Sequence, residues 1–86
     1  MDINQLVLLV EEKLKKNILI QNINIEDKTY LHKNHLSHTE GKFHLLIKIQ
    51  SEELSKFNKV QATKKIYKIL NNEIKKYIHS IQILIN

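Results

Sequence analysis

The sequence predicts an α/β, or α+β, two-layer sandwich in which helices cover one face of a small three-stranded mixed sheet. Three observations carry this. Apolar residues recur at helical spacing near the N-terminus, with Ile3, Leu6, Val7, Val10 and Leu14 on one face. Period two then takes over in two separate stretches, around Ile23 and around Ile47. A second helical stretch precedes the final alternating run Ile81, Ile83, Ile85. The order helix, strand, strand, short helix, long helix, strand fits two layers around one core. The chain of 86 residues is read as a single domain over 1–86.

Each element has a local reason. Asp2 with Gln5 three residues on forms a capping-box pattern for the first helix. Lys15 and Lys16 fall in its last turn, where cations suit the helix dipole. Asn17–Ile20 is an apolar link. From Gln21, Ile23 and Ile25 point one way and Asn22, Asn24 and Glu26 the other, giving a half-buried strand. A polar loop from Lys28 to Gly41 follows, and loops of this length in small domains are often functional. Phe43, Leu45, Ile47 and Ile49 alternate with His44, Leu46, Lys48 and Gln50 in a second strand, paired with the first as an antiparallel hairpin. Ser51 with Glu52 and Glu53 opens a short helical turn.

Asn58 with Gln61 starts the longest helix, expected to run to about Ile78. Its apolar stripe reads Val60, Thr63, Ile66, Tyr67, Leu70, Ile74 and Tyr77. The opposite face carries Gln61, Lys64, Lys65, Lys68, Asn72, Lys75 and Lys76. A strand–helix–strand connection favours a parallel, right-handed crossover, so the last strand should lie parallel to the second.

Composition narrows the chemistry. The chain has no cysteine, so it offers no disulfide, zinc knuckle or thiol nucleophile. Any thiolate for a soft metal or an iron–sulfur cluster must come from another molecule. The formal charge is +5, and the 14 basic residues are all lysine. Such a surface attracts phosphate or an acidic partner, yet lacks the planar arginine fork suited to base reading. The same charge is equally that of an ordinary solvated surface. No apolar run approaches a membrane span, and the short run Leu6–Val10 does not make a signal peptide. A cytoplasmic protein is expected, and a processed organellar one, for example mitochondrial, would look the same. A monomer or weak homodimer is expected for the chain alone. The histidines and carboxylates form no nucleophile–base pair at recognisable spacing, so the chain is not read as an enzyme.

Three of the five histidines, His32, His35 and His38, fall within seven positions of the polar loop, and His79 stands just ahead of the last apolar run. Asp27, Thr29, His32 and His35 hold the spacing of the loop signature of BolA proteins, with Thr in place of the usual Ser. Ser51, Leu54, Val60, Ile66 and Tyr67 fall in register with the later family pattern, while Ala62 and Thr63 stand where Arg and His are usual. His79, in His79-Ser80-Ile81, matches the family's C-terminal histidine. Over nearly its whole length the chain resembles the BolA family.

The resemblance implies a class II KH-like αββααβ topology. It also implies a monothiol glutaredoxin partner, with a [2Fe-2S] cluster shared between glutaredoxin, glutathione and the BolA-like chain, in iron–sulfur cluster trafficking or iron homeostasis. No cofactor is expected in the isolated protein. By position His32 and His79 inherit the role of metal ligands, and His35 that of a spare ligand or close neighbour. His38 and His44 are read as surface residues. Imidazole can replace thiolate on one iron of such a cluster, and neutral histidine is the ligating form, so cluster stability should depend on pH. The alternative is a nucleic-acid-binding transcriptional regulator, with DNA held on the lysine face at Lys64, Lys65, Lys68, Lys75 and Lys76. Against it, the turn Lys56-Phe57-Asn58-Lys59 has no Gly-x-x-Gly clamp.

Overall fold

The computed structural model describes residues 1–29 and 42–86. Within them the elements are α1 (Ile3–Asn17), β1 (Asn22–Asp27), β2 (Phe43–Gln50), α2 (Glu52–Ser55), α3 (Lys59–Ile69), α4 (Asn71–Lys76) and β3 (Ile78–Ile85). The sheet order is β1-β2-β3. β1 pairs antiparallel to β2, and β3 pairs parallel to β2, as the alternation and the crossover rule require. The strand β2 is therefore central, and β1 and β3 are both edges.

The helix α1 forms for the reasons its sequence gives. The Asp2 side chain accepts from the Gln5 N–H at 2.8 Å, and the Gln5 side chain accepts from the Asp2 N–H at 3.0 Å. Together they satisfy two donors that a helix start otherwise leaves open. Leu6, Val10 and Leu14 are buried on its inner face. They meet Leu45, Ile47 and Ile49 of β2, Ile83 of β3, and Ala62, Ile66 and Leu70 of the C-terminal helices in one core.

The junction from β2 into α2 is pinned by a buried serine. The Ser51 hydroxyl accepts from the Leu54 N–H at 3.1 Å, capping α2, and donates to the Leu19 carbonyl at 2.7 Å. The Glu52 N–H is met by the Gln21 side chain at 2.9 Å, and the Leu19 N–H by the Glu53 carboxylate at 3.2 Å. The α1–β1 link and the β2–α2 turn are thereby fastened to each other.

Two expectations for the C-terminal half are corrected. The long helix does not run unbroken from Asn58 to Ile78: it is divided at Leu70, whose φ of −94° and ψ of 14° leave helical geometry. The interruption is one residue wide, because Leu70 N–H still bonds Ile66 O at 3.0 Å and Ile74 N–H bonds Leu70 O at 2.9 Å. Asn71 and Asn72 follow, and asparagine side chains compete with the helical backbone for hydrogen bonds. The helix then ends early, and Ile78 is already in β3.

The apolar stripe is also rotated from the one expected. Ala62, Ile66, Leu70 and Glu73 are buried, whereas Val60 is 64% and Tyr67 39% exposed. The small side chain of Ala62 is the one turned to the core, and Ile66 and Leu70 belong to both readings, so periodicity alone did not separate them. The buried Glu73 carboxylate is met by Lys13 of α1 at 2.9 Å and 3.2 Å, which supplies the counter-charge a buried carboxylate needs.

Candidate metal-ligand site at the start of strand β3

The register of β3 against β2 contains an irregularity that decides where His79 goes. Phe43 pairs with Ile78 and His44 pairs with Ser80, so β3 has one residue more than β2 at this point, and that residue is His79. A β-bulge of this kind re-aims a side chain and is common beside functional sites. The imidazole of His79 is exposed on an edge strand. From Ser80 on, the alternation is in step with β2, with Leu45 opposite Ile81 and Ile47 opposite Ile83.

His44 is not the surface residue the alternation suggested. It lies on the sheet face away from the helices, but it is only 4% exposed. Its Nδ1 shares a hydrogen bond of 2.6 Å with Ser80 Oγ. Its ring meets that of His79 with centroids 4.9 Å apart and planes tilted by 59°. The parallel pairing brings Ser80 beside His44, and the extra residue brings the second ring against it. Two histidines separated by 35 positions thus become neighbours only in the folded chain.

The backbone of His44 is held from the other side by the end of β1. The His44 N–H donates to Thr29 Oγ1 at 3.1 Å, and the His44 carbonyl accepts from the Lys28 N–H at 2.7 Å. Thr29 is fixed in turn by Asp27, whose carboxylate accepts from the Thr29 N–H at 2.9 Å and from the Thr29 hydroxyl. This Asp–x–Thr turn, in which a side chain bonds the backbone two residues on, launches the chain into the histidine-rich stretch. His32, His35 and His38 lie outside the described residues. A hollow of ≈ 200 Å³ beside the His44 ring is lined by residues including Lys28, Ser80 and Gln82.

Charges near the site are balanced at the sheet surface. Glu26 pairs with Lys48 at 3.0 Å and Lys28 at 3.1 Å. The hydrogen bond from Lys48, then that from Lys28, holds the Glu26 carboxyl below its ordinary value. Among the described residues no three His, Cys, Asp or Glu side chains come together to hold a metal ion. The described part of the site therefore offers one exposed imidazole, His79, and one buried imidazole behind it.

The lysine face divides as the helix does. Lys64 and Lys68 on α3 and Lys75 and Lys76 on α4 are exposed. Lys65 is half-buried: it pairs with Glu53 at 3.1 Å and lies 5.2 Å from the Phe57 ring centroid.

The family model for BolA-like protein matches residues 14–86. The chain belongs to the BolA family. Solved BolA structures agree with the fold. This BolA-like chain is 25% identical to the BolA domain of SufE1 from Arabidopsis thaliana, with a TM-score of 0.79, covering 92% of this chain and 87% of that one. BolA1 from Arabidopsis thaliana is similar at 25% identity and a TM-score of 0.79, covering 93% of this chain and 88% of that one. At 13% identity, BolA1 from Mus musculus shares the fold, with a TM-score of 0.73 over 92% of this chain and 62% of that one. No curated sequence matches the chain. No helix among the described residues is long and apolar enough to cross a membrane.

The sequence pointed to His79 and to the Asp27–Thr29 spacing of this BolA-like chain, but missed His44 and Ser80 as neighbours of His79. One signal was present. The isoleucines run 78, 81, 83, 85, and the three-residue first step breaks the alternation where the bulge lies.

Proposed function

We propose that this BolA-like chain shares a [2Fe-2S] cluster with a monothiol glutaredoxin and glutathione, in cluster trafficking or iron homeostasis. The observation that carries the reading is the placement of His79. It is an exposed imidazole in a bulge on an edge strand, reached through His44 from the Asp27–Thr29 turn that leads into His32. The donor chemistry fits. Without cysteine, the chain can contribute no thiolate, and the thiolates of such a cluster would come from the partner and glutathione. His79 and His32 would be the chain's two ligands, with His35 the spare. Imidazole in place of thiolate on one iron raises a cluster's potential. The chain's own part is to present His79 at an accessible edge and to fix the end of β1, through Thr29, to the His44 backbone.

The test is reconstitution. The chain, a monothiol glutaredoxin, iron, sulfide and glutathione are mixed, and the visible absorption of any heterocomplex is recorded. A heterocomplex whose spectrum differs from that of glutaredoxin alone is expected. It should be lost with His79→Ala and weakened with His32→Ala, while Asn24→Ala, on an exposed position of β1, leaves it unchanged. Unaltered spectra and lifetimes in both histidine variants would overturn the ligand assignment.

The exposed lysines Lys64, Lys68, Lys75 and Lys76 support a second reading, a nucleic-acid-binding regulator. In that reading Lys65, tied to Glu53, contributes least. Binding to a DNA duplex should fall steeply with salt, as phosphate neutralisation releases counterions. Replacing Lys64 and Lys68 by alanine should lower the slope of log affinity against log salt by about 2. Absence of binding at low salt would defeat this reading.

A further inference from the structure

We infer that His44 is a positioning residue for His79, and that Ser80 and Thr29 hold His44 in that role. The inference rests on the reading of His79 as a ligand.

Four observations meet at one ring. His44 is 4% exposed although it lies on the sheet face away from the described helices. Its Nδ1 is fixed by Ser80 Oγ at 2.6 Å. Its backbone N–H and carbonyl are both taken by the end of β1, through Thr29 Oγ1 at 3.1 Å and Lys28 N–H at 2.7 Å. Its ring centroid lies 4.9 Å from that of His79, with the planes tilted. A bulged residue is left out of the ladder, so the ladder does not orient its side chain. His79 is therefore in need of support from outside its own strand, and His44 supplies it.

The arrangement also links two parts of the site. The strand β2 carries His44 between the β1 end, from which the His32 segment departs, and the β3 start, which carries His79. Movement of His44 would be felt at Thr29 on one side and at Ser80 and His79 on the other. Groups that orient a metal-binding histidine commonly change metal affinity or activity about 10–100-fold when removed. His44 and Ser80 act here without needing to touch the metal.

The experiment has an arm on the isolated chain and an arm on the heterocomplex. Ser80→Ala removes one hydrogen bond to the buried His44 ring, a loss of about 4–8 °C in melting temperature that leaves the chain folded at about 25 °C. Ser80→Thr restores the hydroxyl. His44→Ala removes the ring. In the isolated chain at fixed pH, side-chain NMR couplings and ring contacts of His79 are measured. One dominant His79 rotamer is expected in the parent and in Ser80→Thr, and averaging over several in Ser80→Ala and His44→Ala. In the heterocomplex, Ser80→Ala should shorten the cluster lifetime about 10-fold without abolishing its formation, and Ser80→Thr should restore it. Should His44→Ala fail to fold, Ser80→Ala with its threonine rescue decides alone. Parent-like His79 couplings in Ser80→Ala and His44→Ala would overturn the inference. A parent chain that forms no heterocomplex would instead overturn the ligand reading, and the His79 couplings would still decide what His44 does.

Discussion

The two ends of strand β2 are both knots of polar groups, and they are built to different ends. At the Gln50–Ser51 end the side chains of the network close on backbone, and Glu53 also pairs with Lys65. Ser51 bonds Leu54 N–H and Leu19 O, Gln21 bonds Glu52 N–H, and Glu53 bonds Leu19 N–H. Ser51 itself is 1% exposed. At the Phe43–His44 end the network begins in the same way, with Asp27 bonding Thr29 and Thr29 bonding the His44 backbone. It then runs through the His44 ring to Ser80 and stops against an exposed imidazole. Satisfying backbone groups stabilises a fold, and a network that does only this has no chemistry left over. A network that ends in an exposed imidazole leaves a nitrogen donor open, and under the proposed function that donor is the cluster ligand.

Mutations at the two ends should therefore separate stability from cluster binding. The largest loss of stability is expected from Ser51→Ala. It removes the cap of α2 and leaves the Leu19 carbonyl without its buried donor, at a cost of about 2 kcal/mol. Chemical denaturation would measure it, and the spectrum of the reconstituted complex should be unaltered. Thr29→Val should cost less, about 1 kcal/mol, because the half-buried His44 N–H loses one side-chain acceptor. Unlike Ser51→Ala, it should also shorten the lifetime of the shared cluster. Equal effects of the two variants on the cluster would erase the distinction between the ends.

A smaller effect is expected from acid. The hydrogen bond from Lys65, then that from the Leu19 backbone, holds the Glu53 carboxyl below its ordinary value of 4.5. A carboxyl whose folded value is lowered contributes stability above the unfolded value and loses it as pH falls through the folded one. The stability difference between the parent chain and Glu53→Gln should thus be present at neutral pH and shrink below the ordinary carboxylate range. Denaturation midpoints taken across that range would check the sign. The smallest effect on stability belongs to His79→Ala. The side chain is exposed and outside the strand alternation, so the change should be within about 0.5 kcal/mol. The same variant should abolish the cluster-sharing complex, which sharpens the contrast between the ends more than any other measurement.

Much of the fold was legible in the chain because local rules agreed with one another. The capping box at Asp2 and Gln5, the period-two runs around Ile23 and Ile47, and the Ser51 cap each depend on residues a few positions apart. The parallel placement of β3 followed from chain handedness, which is nearly sequence-independent. The end of β1 at Asp27 and the place of His79 at the start of β3 were likewise readable, from spacing and resemblance. Tertiary structure alone decided the rest. The inward face of α3 was set by which residues could approach α1 and the sheet, and that favoured Ala62 over Val60 and Tyr67. The helix break at Leu70 was hidden because the apolar spacing Ile66, Leu70, Ile74 runs on through it in the sequence. His44 reads in sequence as an outward residue between Phe43 and Leu45, because alternation reports the side of a strand and not what another strand lays across it. Its bond to Ser80 and its contact with His79 exist only because β3, 35 residues later, returns alongside with one residue to spare.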